Sequence, residues 1–210
     1  MRMEPASLYA SLTNGAEGAL HDPADRHVVG CVLALALAEA KVAGTSVCER
    51  VGLSPAALLT LVTAAFPDSI PLFENSRAEA PSLQEDESNL RELLAHSTTS
   101  RTPFEFHLAA IIAHRAMRSN HLWQDMGLRN RGELSELLNR HFAPLAKRNT
   151  GNMKWKKFFF RTICGDEGFR LCSAPSCEDC DDFPICFGDE SGESLLARIR
   201  NANVVQIRPV

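Results

Sequence analysis

Between Arg26-His27 and Glu39 the chain carries eleven consecutive residues without a charged or strongly polar side chain, residues 28–38, and few folds can accommodate them. Asp22-Pro23 just upstream supplies an N-cap and a first helical position, and Gly44 supplies a stop, so the run reads as one helix from residue 22 to about residue 41. Spanning a bilayer would take about 20 apolar residues. A helix that is apolar nearly all round must instead be enclosed by other elements. The chain has one Tyr, 7% aromatics and no alternating β-branched run, so the enclosing elements are expected to be helices as well. The expected fold class is all-α, a multi-helical bundle around this central helix.

The punctuation along the rest of the chain agrees. Ser46 and Ser54 can each cap a helix, with Gly52 as the turn between them, and the helix from Pro55 to about Phe66 stops at Pro67. Residues 68–81 read as a surface connector. Ser82-x-x-Glu85 reads as a capping box opening a helix with Leu83, Leu90, Leu93 and Leu94 on one face. Pro103 starts another helix, Ser119-Asn120 ends it and can cap the next, and a further helix runs over residues 131–142 to Pro144. Two stretches share one pattern, 22–67 and 103–144: an apolar helix that begins near a histidine (His27 or His107), a short helix, a Gly-Leu turn, a longer helix, then Phe and Pro. This suggests an internal duplication of a three-helix unit. The expected organisation is a helical domain over residues 1–163, followed by an irregular cysteine-rich segment over 164–210.

That segment holds four cysteines, Cys172, Cys177, Cys180 and Cys186, at C-x4-C-x2-C-x5-C spacing. Thiolates select zinc, copper(I) or iron–sulfur clusters, and four in so short a span converge on one centre only if the backbone wraps around it. Ordinary structural zinc sites set two C-x2-C pairs a dozen or more residues apart. An iron–sulfur type of cluster is therefore the expectation, with a zinc-stapled interaction or DNA-binding module as the alternative. Seven cysteines, an odd count with no secretory signal, point to reduced thiols and a cytoplasmic protein.

Ahead of the array the charge is segregated. Nine Lys or Arg stand against two Glu between residues 129 and 161, in a chain whose net charge is -4. Within that stretch Trp155, Phe158, Phe159 and Thr162 share one helical face, and Lys154, Lys157 and Arg161 another. The aromatics are expected to roof the cluster while the cations stabilise an anionic centre or attract an oxyanion such as molybdate. A helix-turn-helix with Arg129-Asn130-Arg131 at the start of a recognition helix is the nucleic-acid alternative. The first copy offers only Ser54-Pro55-Ala56-Ala57 there and the whole chain is acidic, so nucleic acid is not the expected partner.

Cys31 and Cys48 read as buried structural thiols, and Cys164 as a spare ligand. His107, His114 and His121 recur every seven residues, roughly 10 Å apart if helical, which is too far for one mononuclear site without another partner. One of them, or His27, is a candidate to complete a metal site in three dimensions. Glu133, Glu136, His141 and the acids among the cysteines read as solvated charge. With no nucleophile–base pair and no Gly-rich phosphate loop, an enzyme is not expected.

Lys154-Trp-Lys-Lys-Phe-Phe, followed by the cysteine array and Phe187-Gly188, resembles the NifQ family of nitrogen-fixation proteins. The likeness extends to Asn120-His-Leu-Trp-Gln-Asp-Met-Gly-Leu, Arg148-Asn-Thr-Gly and Asp25-Arg-His27. The resemblance implies a molybdenum-containing iron–sulfur protein that donates molybdenum for biosynthesis of the nitrogenase iron–molybdenum cofactor. It implies delivery to the cofactor-assembly scaffold and the nitrogenase iron protein, loading from molybdate or a molybdenum-storage source, and Cys172, Cys177, Cys180 and Cys186 as the ligands.

Overall fold

The structure, a computed structural model, describes residues 4–15, 18–74 and 83–166, with side chains described as far as Ile163. Among the described residues it is all-helical. Its axis is α2 (Pro23–Ala43), where the 28–38 run is buried on every side. The Asp22 side chain accepts from the backbone N–H of Ala24 and Asp25, and Gly44 ends the helix at φ +65°. Helix α1 (Pro5–Thr13) lies against α2, and Gly30 gives it room: a Cβ there would stand 3.1 Å from the Tyr9 ring.

The chain continues through α3 (Val47–Val51), α4 (Pro55–Ala65), a 3-10 helix (Pro67–Leu72), α5 (Glu85–His96), α6 (Pro103–Ala116), α7 (Leu122–Asp125), α8 (Arg131–His141), α9 (Ala143–Ala146) and α10 (Trp155–Asp166). The expected serine caps are in place, Ser46 accepting from Cys48 N and Ser54 from Ala57 N. Some boundaries differ from the sequence-based expectation. The connector opens with the 3-10 helix, because Pro67 at its first position and Pro71 inside it limit the chain to a tight local turn. Gln84 is the N-cap residue of α5, without a side-chain cap, whereas Ser82 of the expected capping box lies outside the described residues; Leu83 is exposed while Leu90 and Leu94 are fully buried. A true box stands at α6, where Thr102 accepts from Glu105 N and Glu105 accepts from Thr102 N. His121, not Asn120, is the N-cap residue of α7, since the Asn120 side chain is turned to Asp125.

The order α2-α3-α4 and the order α6-α7-α8 run in parallel down to backbone detail. Gly52 and Gly127 each end a short helix at positive φ, +78° and +74°, and each is followed by a buried Leu. Phe66 and Phe142 each end the longer helix with a fully buried ring. The contacts across the two stretches are reciprocal. A Cβ on Gly52 would lie 2.4 Å from the His114 Cβ on α6, and one on Gly127 would lie 2.8 Å from a Leu35 methyl on α2. Each short-helix turn thus presses its glycine against the long helix of the other stretch, a closeness that a side chain would forbid.

Candidate metal centre

Cys172, Cys177, Cys180 and Cys186 lie outside the described residues; the structure defines the platform from which they depart. That platform is α10, the basic and aromatic helix of the sequence, and its start is held by side chains. Asn149 Oδ1 accepts from Met153 N at 2.8 Å, and Asn149 Nδ2 donates to Met153 O at 2.8 Å. Arg131 Nη2 donates to the carbonyls of Asn152 and Met153 at 2.9 and 2.8 Å, around Asn152 at φ +53°. Asn and Gly are the residues that tolerate such a backbone, which is why an Asn-Thr-Gly-Asn stretch precedes this helix.

Trp155, Phe158 and Phe159 pack as a ring cluster, with Phe159 fully buried, and Trp155 Nε1 donates to Ser135 Oγ at 3.0 Å. These rings belong to the hydrophobic core, so they anchor α10 to the helical body instead of presenting a free roof for a cluster. Lys156 is the second anchor. Its Nζ donates to Asp125 Oδ2 at 2.6 Å and to the carbonyl of Arg118, while Asn120 Nδ2 donates to Asp125 Oδ1 at 2.9 Å. The Asp125 side chain is 1% exposed, so the lysine neutralises a buried carboxylate. Sequence reasoning counted Lys156 only as one charge of a basic stretch. The signal was present, because Asn120, Asp125 and Lys156 all fall in the two motifs that carry the family resemblance.

The candidate histidines are dispersed. His27, near the start of α2, shares a hydrogen bond at Nδ1 with the Tyr9 hydroxyl at 2.7 Å, with Nε2 3.4 Å from Glu133 Oε2 and 3.6 Å from Cys31 Sγ. Arg129 Nη2 also lies 3.5 Å from His27 Nε2. His107 and His114 both lie on α6; burial holds each below the ordinary imidazole range, and for His114 the neighbouring Glu87 offsets part of that. His121 stands apart at α7. Cys164 is in the last turn of α10, and its side chain is not among those described. Among the described residues no group of three or more His, Cys, Asp or Glu is arranged to hold a metal ion.

Cys31 and Cys48 are buried thiols; burial pushes Cys31 up to about 12 and Cys48 upward as well, which keeps both protonated and unreactive. Two residues assigned to solvated charge are built into the fold. His141 lies between Asp25, 2.9 Å from Nε2, and Glu105, 3.6 Å from Nδ1, and Arg140 also binds Asp25. Burial would raise the Asp25 carboxyl, but the hydrogen bonds and charges of His141 and Arg140 outweigh it and hold the group below its ordinary value. Glu133 joins His27 to Arg129. Of the triplet that a recognition helix would present, Asn130 caps α8, Arg129 pairs with Glu133 and Arg131 holds the start of α10.

Beside the Lys156–Asp125 anchor an open cleft of ≈ 580 Å³ is lined by residues that include Glu39, Arg50, His114, Arg118, Asn120 and Asp125. Its floor is ionic. Arg115, with a side chain fully buried, donates from Nη1 to Glu39 at 2.9 Å, and Arg118 pairs with the same carboxylate. Burial lowers Arg115 to about 10, still protonated at neutral pH. The lining offers mixed charge and no soft donor set. No described helix is long and apolar enough to cross a membrane.

The comparisons with known proteins point one way. The family described as NifQ matches residues 28–188, a span that begins in α2 and takes in all four array cysteines. A protein named "Protein NifQ homolog" from Sinorhizobium fredii (strain NBRC 101917 / NGR234) is 40% identical over 171 residues, 81% of this chain and 74% of the relative. "Protein NifQ" of Rhodobacter capsulatus is 40% identical over 164 residues, 77% of this chain and 89% of the relative. "Protein NifQ" of Azotobacter vinelandii is 40% identical over 115 residues, 54% of this chain and 59% of the relative. No solved structure matches the chain.

Proposed function

The chain belongs to the NifQ family of nitrogen-fixation proteins, and from that footing we propose that it is a molybdenum carrier, which holds the metal with an iron–sulfur cluster and donates it for assembly of the nitrogenase iron–molybdenum cofactor. The observation that carries this reading is the thiolate array at C-x4-C-x2-C-x5-C spacing, wholly inside the family span and directly after the helix anchored by Trp155, Lys156 and Phe159. The donor set fits an iron–sulfur centre, for which thiolates are the usual protein ligands. Cys172, Cys177, Cys180 and Cys186 hold the cluster; molybdenum is the cargo. A cluster so held supplies soft sulfide and thiolate donors to the metal it carries.

A carrier must release what it binds. Four equivalent thiolates on one metal would resist release, so the four cysteines divide between retaining the cluster and making an exchangeable contact with the cargo. The weaker ligand is sought among Cys164, in the last turn of α10, and His27, His107, His114 and His121, of which His27 and His114 would first have to leave the partners Tyr9 and Glu133, and Glu87. The role is transfer without bond-making catalysis. The expected partners are the cofactor-assembly scaffold and the nitrogenase iron protein, with molybdate or a storage source for loading, in the cytoplasm.

The test is metal and sulfide analysis of protein purified anaerobically with and without molybdate. The expected product is brown, contains iron and acid-labile sulfide, and gains molybdenum when molybdate is supplied. Single Cys→Ala variants of the four positions should lose iron and molybdenum unequally. A colourless protein holding one zinc would replace this reading with a structural staple.

A further inference from the structure

The open cleft beside the Lys156–Asp125 anchor lies where the two similar stretches meet. Glu39 and Arg50 reach it from α2 and α3, and His114, Arg118, Asn120 and Asp125 from α6, α7 and the turn between them. Most of its acids are already used by the fold. Glu39 receives the fully buried guanidinium of Arg115 and that of Arg118, two cations on one carboxylate. Asp125 holds Lys156 Nζ on one oxygen and Asn120 Nδ2 on the other. Glu49 is exposed and pairs with no cation among the described residues. His114 has Nδ1 on Glu87, and burial keeps it below the ordinary imidazole range, so it adds no charge at neutral pH.

Arg50 is different. It is half-buried in the wall of the cleft, and its Nε donates to Thr45 Oγ1 at 2.8 Å, which fixes the plane of the guanidinium. Its two Nη groups have no acceptor among the described residues. With Gly52 set in register with Gly127, Arg50 corresponds to Asp125 of the second stretch. That aspartate is closed by Lys156, whereas the arginine has no carboxylate. Arg118 Nη2 lies 3.4 Å from the Arg50 carbonyl, so a second guanidinium borders the same space, and the exposed Ser119 adds a hydroxyl. In the cleft and its floor Arg50, Arg115, Arg118 and Lys156 stand against Glu39, Glu49 and Asp125, which leaves one positive charge over. A guanidinium fixed at Nε, with its Nη edge unpaired, is a preformed fork for two oxygens of one anion. Met117 is the one apolar side chain of the lining, so the space suits a small hydrated ion better than an organic ligand, which would need apolar walls.

We infer that this cleft is a binding site for a tetrahedral, doubly charged oxyanion, held by the Nη edge of Arg50 with Arg118 and Ser119 beside it. Phosphate, sulfate and molybdate share that chemistry. The inference stands apart from the carrier reading, because it uses no residue of the thiolate array. Where molybdate is the anion preferred, the cleft is an entry point for the cargo of that reading.

The experiment is isothermal titration calorimetry of the full-length protein, purified anaerobically, with sodium phosphate, sulfate and molybdate in turn at about 0.05 M chloride. One saturable site per chain is expected, weakening as chloride rises toward about 0.5 M. R50Q should weaken binding about tenfold or more, since it removes charged donors from the anion. R50K, which keeps the charge without the fork, should lose part of that affinity, and K147Q, an exposed lysine elsewhere, should change nothing. Far-UV circular dichroism checks that the variants stay helical. A reading that needs no substitution comes from isotope-labelled protein: the amide signals of Arg50 and of residues 118–120 should move on adding phosphate. The variant C172A/C177A/C180A/C186A should bind phosphate and sulfate as the unaltered chain does. Binding of all three anions supports a general oxyanion site, and a preference for molybdate supports it and joins it to the carrier reading. Molybdate binding that vanishes with the cysteines and survives R50Q would assign the anion to the array, overturning the cleft and leaving the carrier reading in place. The absence of saturable binding by any of the three anions, or binding that a folded R50Q retains in full, also overturns the inference.

Discussion

Replacing Lys156 by Met should cost the protein about 3 kcal/mol of stability, a figure that follows from what the substitution leaves behind. Met retains most of the aliphatic stem, so the change removes charge and little packing. Asp125, with a side chain 1% exposed, would keep the hydrogen bond from Asn120 at 2.9 Å to its Oδ1 and the attraction of the Arg115 charge, but lose its direct cation. Removing one partner of a buried ion pair costs about 3–5 kcal/mol. The remaining hydrogen bond and the 18% exposure of the Lys156 side chain place this case at the low end. For a chain of this length that corresponds to a fall in Tm of roughly 6–12 °C. Urea unfolding followed by circular dichroism measures it, with the midpoint expected to fall and the slope to hold. The double variant D125N/K156M supplies the decisive comparison. It buries no lone charge, so it should be less damaged than K156M alone, at about 1–1.5 kcal/mol. A loss under about 1 kcal/mol for K156M, or a double variant as damaged as the sum of the singles, would refute the account of Lys156 as the neutralising anchor of α10.

Other outcomes follow from the same structure. Gly52→Ala should cost about 2–4 kcal/mol, because a Cβ at φ +78° would stand 2.4 Å from the His114 Cβ. Gly44→Ala, at φ +65° with nothing within 4 Å, should cost only about 1 kcal/mol; equal losses in paired urea titrations would discredit the tight approach of α3 to α6. His107 has a folded-state value below 6.5 because burial disfavours its cation. Falling pH therefore protonates the unfolded chain first, and the contribution of this residue to stability, complete above about pH 7, is lost as pH drops toward the lower folded value. His107→Gln should flatten the stability profile between about pH 7 and pH 5, and an unchanged slope would show that other groups carry it.

Much of the helical body was legible in order of residues. The 28–38 run, Asp22-Pro23 and Gly44 specified α2 to within two residues of its end, because capping and helix termination depend on local backbone chemistry that neighbouring side chains advertise. The serine caps and Gly52 were legible for the same reason. Errors came where two local signals competed. α5 begins at Glu85 with Gln84 as its N-cap residue, two positions later than the serine spacing suggested, and a box forms at Thr102. The thiolate spacing and the motifs around Trp123 and Trp155 were enough to place the chain in its family, since both are properties of consecutive residues.

What sequence order could not disclose is the use of charge. Lys156 and Lys157 are adjacent and chemically identical; one is committed to a buried aspartate and the other is exposed. His141 and Glu133 read as solvated, but are tied to α2 by Asp25 and His27, more than a hundred residues away. Trp155, Phe158 and Phe159 had a face to offer, and only the packing of α10 against the helical body decided that the core takes it. The physical reason is common to all three: a local pattern fixes which side of a helix a residue occupies, whereas burial and partnership depend on which distant element closes over that side, and that is settled by the assembled core.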